Sequence, residues 1–149
     1  METLNLGLVI VVLSGVAGAF VGTMLWAYQG SGSVAVLFRE VMPVPEGLSE
    51  GARSAFQSGV SAYIAGNYRP AIGAFSKALQ ADPSCLAARH NRGLAYANLR
   101  QEDSATVNLL AAAEGYGAMG DSKSVALIKR QLEAIRLRKL SREAPPIAP

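Results

Sequence analysis

The residues best equipped for chemistry are Cys85 and His90, five positions apart. A thiol beside an imidazole is the pairing from which a nucleophile is made, because the base draws the proton off sulfur. They are the chain's one cysteine and one histidine. Cys85 falls at the end of one helical unit and His90 inside the next helix. That position assigns them a packed thiol and a half-exposed imidazole rather than a catalytic pair. A structural or catalytic metal needs three or four converging His, Cys or carboxylate ligands, and this chain has too few to supply them. One cysteine also rules out an intrachain disulfide. No GxxxxGK[ST] phosphate loop occurs, and Gly15, Gly18 and Gly22 stand inside an apolar run. The expectation is a non-enzyme with no cofactor and no metal.

A second kind of chemistry is recognition by charge. Lys123, Lys129, Arg130, Arg136, Arg138, Lys139 and Arg142 face only Glu133 and Glu143 near the C-terminus. Two readings stand side by side: a solvated helix whose cations suit its C-terminal dipole end, or a basic surface for an anionic headgroup or acidic partner. Lys129, Arg130, Arg136, Arg138 and Lys139 form the candidate surface. Nucleic acid is not expected, because the net charge is only +3 and no row of aromatics accompanies the basic stretch.

The elements that position these residues are helices. Leu6 to Ala27 is an uncharged run of 22 residues, which as a helix spans about 33 Å, enough for a hydrocarbon core. Trp26 and Tyr28 close it, where interfacial aromatics belong. Ala17-Gly18-Ala19 offers a signal-peptide cleavage site, but no basic residue precedes the run and it continues past the site. The sequence therefore predicts a transmembrane anchor over 4–28. Flanking Arg39 and Arg53 place the C-terminal domain on the cytoplasmic or stromal-type side. Ser14, Gly18 and Gly22 recur every four residues, a small-residue face for packing against another membrane helix. Residues 29–48 read as a linker in which 34–42 is either a short interfacial helix or an extended apolar segment. Pro43, Pro45 and Gly47 stop any helix there.

Internal similarity organises the remainder. Ala52–Cys85 aligns on Leu86–Met119 at a 34-residue offset, so that Gly59 meets Gly93, Ala71 meets Ala105, Phe75 meets Leu109 and Ala78 meets Ala112. Helices are expected at 49–65, 68–81, 84–98, 102–118 and 122–140. Asp82-Pro83 is expected to start the third and Asp121 to cap the last. Val125, Ile128, Leu132 and Ile135 give that last helix an apolar face that closes the stack. The domain so defined runs over 49–140, and 141–149 is a loose tail.

This spacing resembles the tetratricopeptide repeat family. The first unit carries the family's small residue, alanines, large apolar residue and proline at Gly59, Ala71, Phe75, Ala78 and Pro83. The second carries Gly93, Tyr96, Ala105, Leu109 and Ala112, with Gly117 in the proline's place and Arg100-Gln101-Glu102 where the first has Gly66-Asn67-Tyr68. The third unit is degenerate. The resemblance implies an all-α helical-hairpin solenoid behind the membrane helix, with a partner groove lined by the first helix of each unit. That groove comprises Phe56, Val60, Tyr63, Arg89, Asn91, Arg92 and Tyr96. The two-carboxylate clamp of some members is not expected, since only Asn91 matches it. An N-terminal membrane helix before such repeats is similar in layout to photosystem assembly factors of cyanobacteria and plastids and to mitochondrial import receptors. The expected function is a membrane-anchored adaptor or assembly factor that binds proteins, with self-association as a further option. The alternative is a permanent structural subunit of a membrane complex, docked through its transmembrane helix.

Overall fold

A computed structural model of the chain describes residues 36–143. Five helices run through them: α1 (Glu50–Ile64), α2 (Tyr68–Ala81), α3 (Leu86–Asn98), α4 (Glu102–Ala118) and α5 (Ser122–Glu143). Among the described residues there is no strand. Each helix packs on the next, α1 on α2, α2 on α3, α3 on α4 and α4 on α5.

The expected class, a membrane-crossing helix followed by helical hairpins, is corrected. Among the described residues no helix is long and apolar enough to cross a membrane. The longest, α5, has 22 residues but carries a charge on nearly every turn. The anchor expected over 4–28, with Ser14, Gly18 and Gly22, lies outside the described residues, as does 144–149.

Three helices end the same way. The amide of Asn67 reaches back to the Ala62 carbonyl, that of Gln101 to Tyr96 and that of Asp121 to Tyr116. In each case the preceding residue takes a left-handed conformation, with φ of 77° at Gly66, 59° at Arg100 and 76° at Gly120. This six-to-one closure satisfies carbonyls that the helix leaves free, and glycine suits the left-handed position because it has no Cβ to clash. Arg100 holds it without that freedom.

Helix starts are more varied. Ser49 accepts from the Ala52 amide at α1, and Asp121 accepts from both the amide and the hydroxyl of Ser124 at α5. Those hydrogen bonds hold the Asp121 carboxyl below its ordinary pKa. The expected role of Asp82-Pro83 is corrected: α3 begins at Leu86. Asp82 instead accepts from the amide and hydroxyl of Ser84, so the pair forms a turn between α2 and α3.

Packing repeats with the sequence. A methyl added at Gly59 would stand 2.6 Å from Phe75 Cε1, and one at Gly93 would stand 2.9 Å from Leu109 Cγ. Equivalent glycines in α1 and α3 thus let equivalent large side chains of α2 and α4 press against helix backbone. Ala71, Ala78, Ala105 and Ala112 are fully buried, keeping the helices close. Phe56 and Phe75 meet edge to face with ring centroids 5.5 Å apart, a geometry that adds about 0.5–1.5 kcal/mol to their burial. Ile128 and Ile135 bury one face of α5 against this core.

Over 34–42 the sequence leaves open a short interfacial helix or an extended apolar segment. Val36–Leu48 forms no helix, and Leu37, Phe38, Val41, Met42, Val44 and Leu48 pack on the helical core rather than serving as a linker. It is a strap laid across the domain.

Candidate functional site

The strap is held by two amides and one phenol. Asn91 and Asn98 stand seven residues apart on α3, two helical turns, and so share a face. Asn98 Oδ1 accepts from the amides of Leu37 and Phe38, both at 3.0 Å. Its Nδ2 donates to the Phe38 carbonyl at 2.7 Å and to the Tyr63 hydroxyl oxygen at 2.9 Å. Tyr63, from α1, donates its hydroxyl proton to the same Phe38 carbonyl at 2.7 Å. One turn of strap later, Asn91 Oδ1 accepts from the Met42 amide at 2.7 Å and Nδ2 donates to the Met42 carbonyl at 2.9 Å.

Each amide therefore presents a donor and an acceptor to the backbone of one strap residue, as a neighbouring β-strand would. The distances match. Seven helical residues advance about 10.5 Å, and the four steps from Phe38 to Met42 span about 13 Å fully extended. The strap runs opposite to α3, from its C-terminal end towards its N-terminal end. No strap side chain makes a hydrogen bond in this array; the bonds to the strap all end on main-chain atoms. Leu37-Phe38 and Val41-Met42 are partly buried against the core, with Arg39 and Glu40 exposed between them.

The amides are themselves buried, Asn91 fully and Asn98 nearly so. A buried amide left unpartnered costs about 1–3 kcal/mol, and the strap backbone partners both of these. Burial also raises the Tyr63 phenol above its ordinary pKa, which keeps it a proton donor at any physiological pH.

Of the residues expected to line a partner groove, Tyr63 and Asn91 hydrogen-bond to the strap. Val60 and Tyr96 are half-buried against the core. Phe56 is corrected to a core residue: it is fully buried and packs on Phe75. Arg92 points away from the strap. It donates through Nε to Asn108 Oδ1 at 2.8 Å and through Nη1 to Ser76 Oγ at 3.1 Å, tying α3 to α4 and α2. Arg89 donates to the Pro83 carbonyl at 3.2 Å and stabilises the turn before α3. The central residue, Asn98, escaped sequence reasoning. Its signal was present as a second asparagine in register with Asn91 on an otherwise apolar helix face.

The expected basic surface divides. Lys129 and Arg130 are exposed, and Arg136 pairs with Glu133 one turn away at 3.4 Å. Lys139 lies 3.8 Å from Asp103. Arg138 is corrected from a free surface cation to a half-buried tie: it donates to the Ala97 carbonyl and to Glu102 Oε1. Arg142 shares that carboxylate at 3.0 Å. Arg138 closes the end of α3 and fastens α5 to the start of α4; its burial lowers its pKa.

His90 is also corrected. It is fully buried, not half-exposed, with Nε2 2.7 Å from Gln131 Oε1 on α5 and its ring edge to face with Tyr116 of α4. Burial lowers its pKa and raises that of the Cys85 thiol, which disfavours both the imidazolium and the thiolate. Among the described residues no group of three or more His, Cys, Asp or Glu is arranged to hold a metal ion.

Comparison with protein-family models, with curated proteins and with solved structures returned no match for this chain.

Proposed function

We propose that this protein is a protein-binding adaptor of the tetratricopeptide type, whose groove takes an extended polypeptide segment. The observation that carries the reading is the pair Asn91 and Asn98, buried on one face of α3 and each matched to the N–H and C=O of a chain laid across it. Buried amides without a covalent task are costly to keep, and this arrangement serves main-chain recognition directly. The repeat assignment is supported by position. Gly59 with Phe75 and Gly93 with Leu109 make the same close contact one 34-residue unit apart, and Gly66 and Arg100 make the same turn. Arrays of such hairpins hold partner segments by stacking around them.

The test is comparative capture. The full chain, wild type and Asn91→Ala/Asn98→Ala, is recovered from its native source by mild extraction, and co-purifying proteins are quantified. An adaptor working through this groove loses its partners at least tenfold in the double variant, while Lys129→Ala/Arg130→Ala leaves them unchanged. Equal recovery by the groove variant and wild type refutes the groove as the binding site.

A further inference from the structure

The groove that the hairpins build is already filled by the chain's own residues. Resting on the peptide-binding reading above, we propose that the strap over Leu37–Met42 is a displaceable stand-in for the true ligand. That ligand is an extended partner segment with two pairs of apolar residues separated by two polar ones, the pattern of Leu37-Phe38-Arg39-Glu40-Val41-Met42.

Three features carry this. The six hydrogen bonds that Asn91, Asn98 and Tyr63 make to the strap all end on backbone atoms. Any extended chain offers the same atoms, so a partner strand can replace the strap bond for bond. Side chains then select: Leu37, Phe38, Val41 and Met42 pack inward, while Arg39 and Glu40 are exposed and make no side-chain hydrogen bond or ion pair that the exchange must break.

The second feature is incomplete burial. None of these four apolar side chains reaches the burial of the helical core, where Phe56, Phe75 and Leu109 are fully covered. A segment with few buried contacts opens at lower cost than the fold as a whole. The third is its attachment. Between Met42 and α1 lie Pro43, Pro45 and a turn in which Gly47 takes φ of 79° with open space around it. No residue of this turn hydrogen-bonds to the helices except through the cap at Ser49; Val44 and Leu48 hold it to the core by apolar packing, so the strap over Leu37–Met42 can lift ahead of it while α1 keeps its cap. Tethering raises the strap's effective concentration, so a partner must bind more tightly than the isolated strap sequence does, and weak segments are excluded.

A second copy of the chain, exchanging straps, is the rival occupant, and the experiment separates it. A labelled peptide with the sequence of residues 35–44 is titrated against the full chain, wild type and Phe38→Pro/Met42→Pro, by fluorescence anisotropy. The prolines remove the amide hydrogens that Asn98 and Asn91 accept. The proposal expects the proline variant to bind the peptide at least tenfold more tightly than wild type. It also expects Asn98→Ala added to that variant to abolish the gain, and a peptide with serine at the four apolar positions not to bind. Equal binding by wild type and a normally helical proline variant overturns it. So does a wild-type dimer that the proline substitutions dissolve, which would make the strap an exchange element between copies.

Should the variant fail to fold, hydrogen exchange in the wild-type chain decides. Amides of Leu37, Phe38 and Met42 that exchange at least tenfold faster than those of Leu94 and Ala95 support a strap that opens alone. Exchange at the rate of those core amides makes it an integral part of the fold and overturns the proposal. In that event partner binding through another surface would still show in the capture experiment, so the two readings fail separately.

Discussion

Replacing Gly59 by alanine and, separately, Gly73 by alanine sets one backbone effect against opposite surroundings. Each glycine lies inside a helix, Gly59 in α1 and Gly73 in α2. Alanine in a helix interior is favoured over glycine by about 1 kcal/mol, because glycine loses more backbone freedom on folding. At Gly73 nothing lies within 4 Å of the new methyl, so that gain is realised in full. At Gly59 the methyl would meet Phe75 Cε1 at 2.6 Å and Cδ1 at 2.7 Å. The Phe75 ring cannot swing aside, since it is fully buried and braced by Phe56 at 5.5 Å. Overpacking of this kind costs about 1–3 kcal/mol, which exceeds the propensity gain. The expected result is a net loss of about 1 kcal/mol for Gly59→Ala and a gain of about 1 kcal/mol for Gly73→Ala.

Urea unfolding of the full chain, followed by far-ultraviolet circular dichroism, reads the difference. With a slope of about 2 kcal/mol per molar urea, the two midpoints separate by about 1 M. Phe75→Leu supplies the check on mechanism. It removes the ring, so Gly59→Ala should cost less in that background than alone, a coupling of about 1 kcal/mol or more. Two alanine variants with the same sign of shift, or additive Gly59→Ala and Phe75→Leu effects, would refute the close contact of α1 with the Phe75 ring.

Three further outcomes follow from the geometry. Asn98→Ala should destabilise the chain more than Asn91→Ala, by about 1–2 kcal/mol in chemical denaturation, because it removes four hydrogen bonds, one of them the donation to the Tyr63 hydroxyl, where Asn91 makes two; equal effects would mean that the strap is not held at its Phe38 end. Arg100→Gly should stabilise by about 0.5–1 kcal/mol, since it relieves a left-handed arginine at φ 59°, and a thermal melt with an unchanged or lower midpoint would contradict this. Stability should fall as the pH drops below about 6.5: burial holds His90 below its ordinary value, so the unfolded chain takes up the proton first and the loss deepens until the pH passes the folded value. The slope is bounded by about 1.4 kcal/mol per pH unit for one proton, and His90→Gln should flatten the profile between roughly pH 7.5 and 5.5.

Much of the helical framework was legible because it depends on local spacing. The four helices of the two hairpins lie within two residues of the bounds read from periodicity, and Asp121 caps α5 through Ser124. Gly59 and Phe75, and Gly93 and Leu109, are spaced so that a small residue meets a large one inside each hairpin, and this pattern shows when the chain is aligned on itself at 34 residues. The candidate site was only half legible. Tyr63 and Asn91 are singled out by their position in the first helices, and both bond to the strap. Phe56 and Arg92 could not be assigned correctly from spacing alone. A helix in this packing has neighbours on three sides, and the sequence does not say which side a given residue meets.

The sequence by itself determined the helices and the paired small and large residues between them, since each rests on contacts between residues close in the chain or repeated at a fixed offset. Only the tertiary structure decided where residues 36–48 lie, that Asn98 rather than Arg92 faces them, and that Glu102 fixes Arg138 and Arg142 from across the fold. Those pairings join residues 36 to 61 positions apart. They arise because a buried amide, carboxylate or guanidinium must find whatever partner the folded chain brings within reach, and that partner is selected by the shape of the fold rather than by the local pattern.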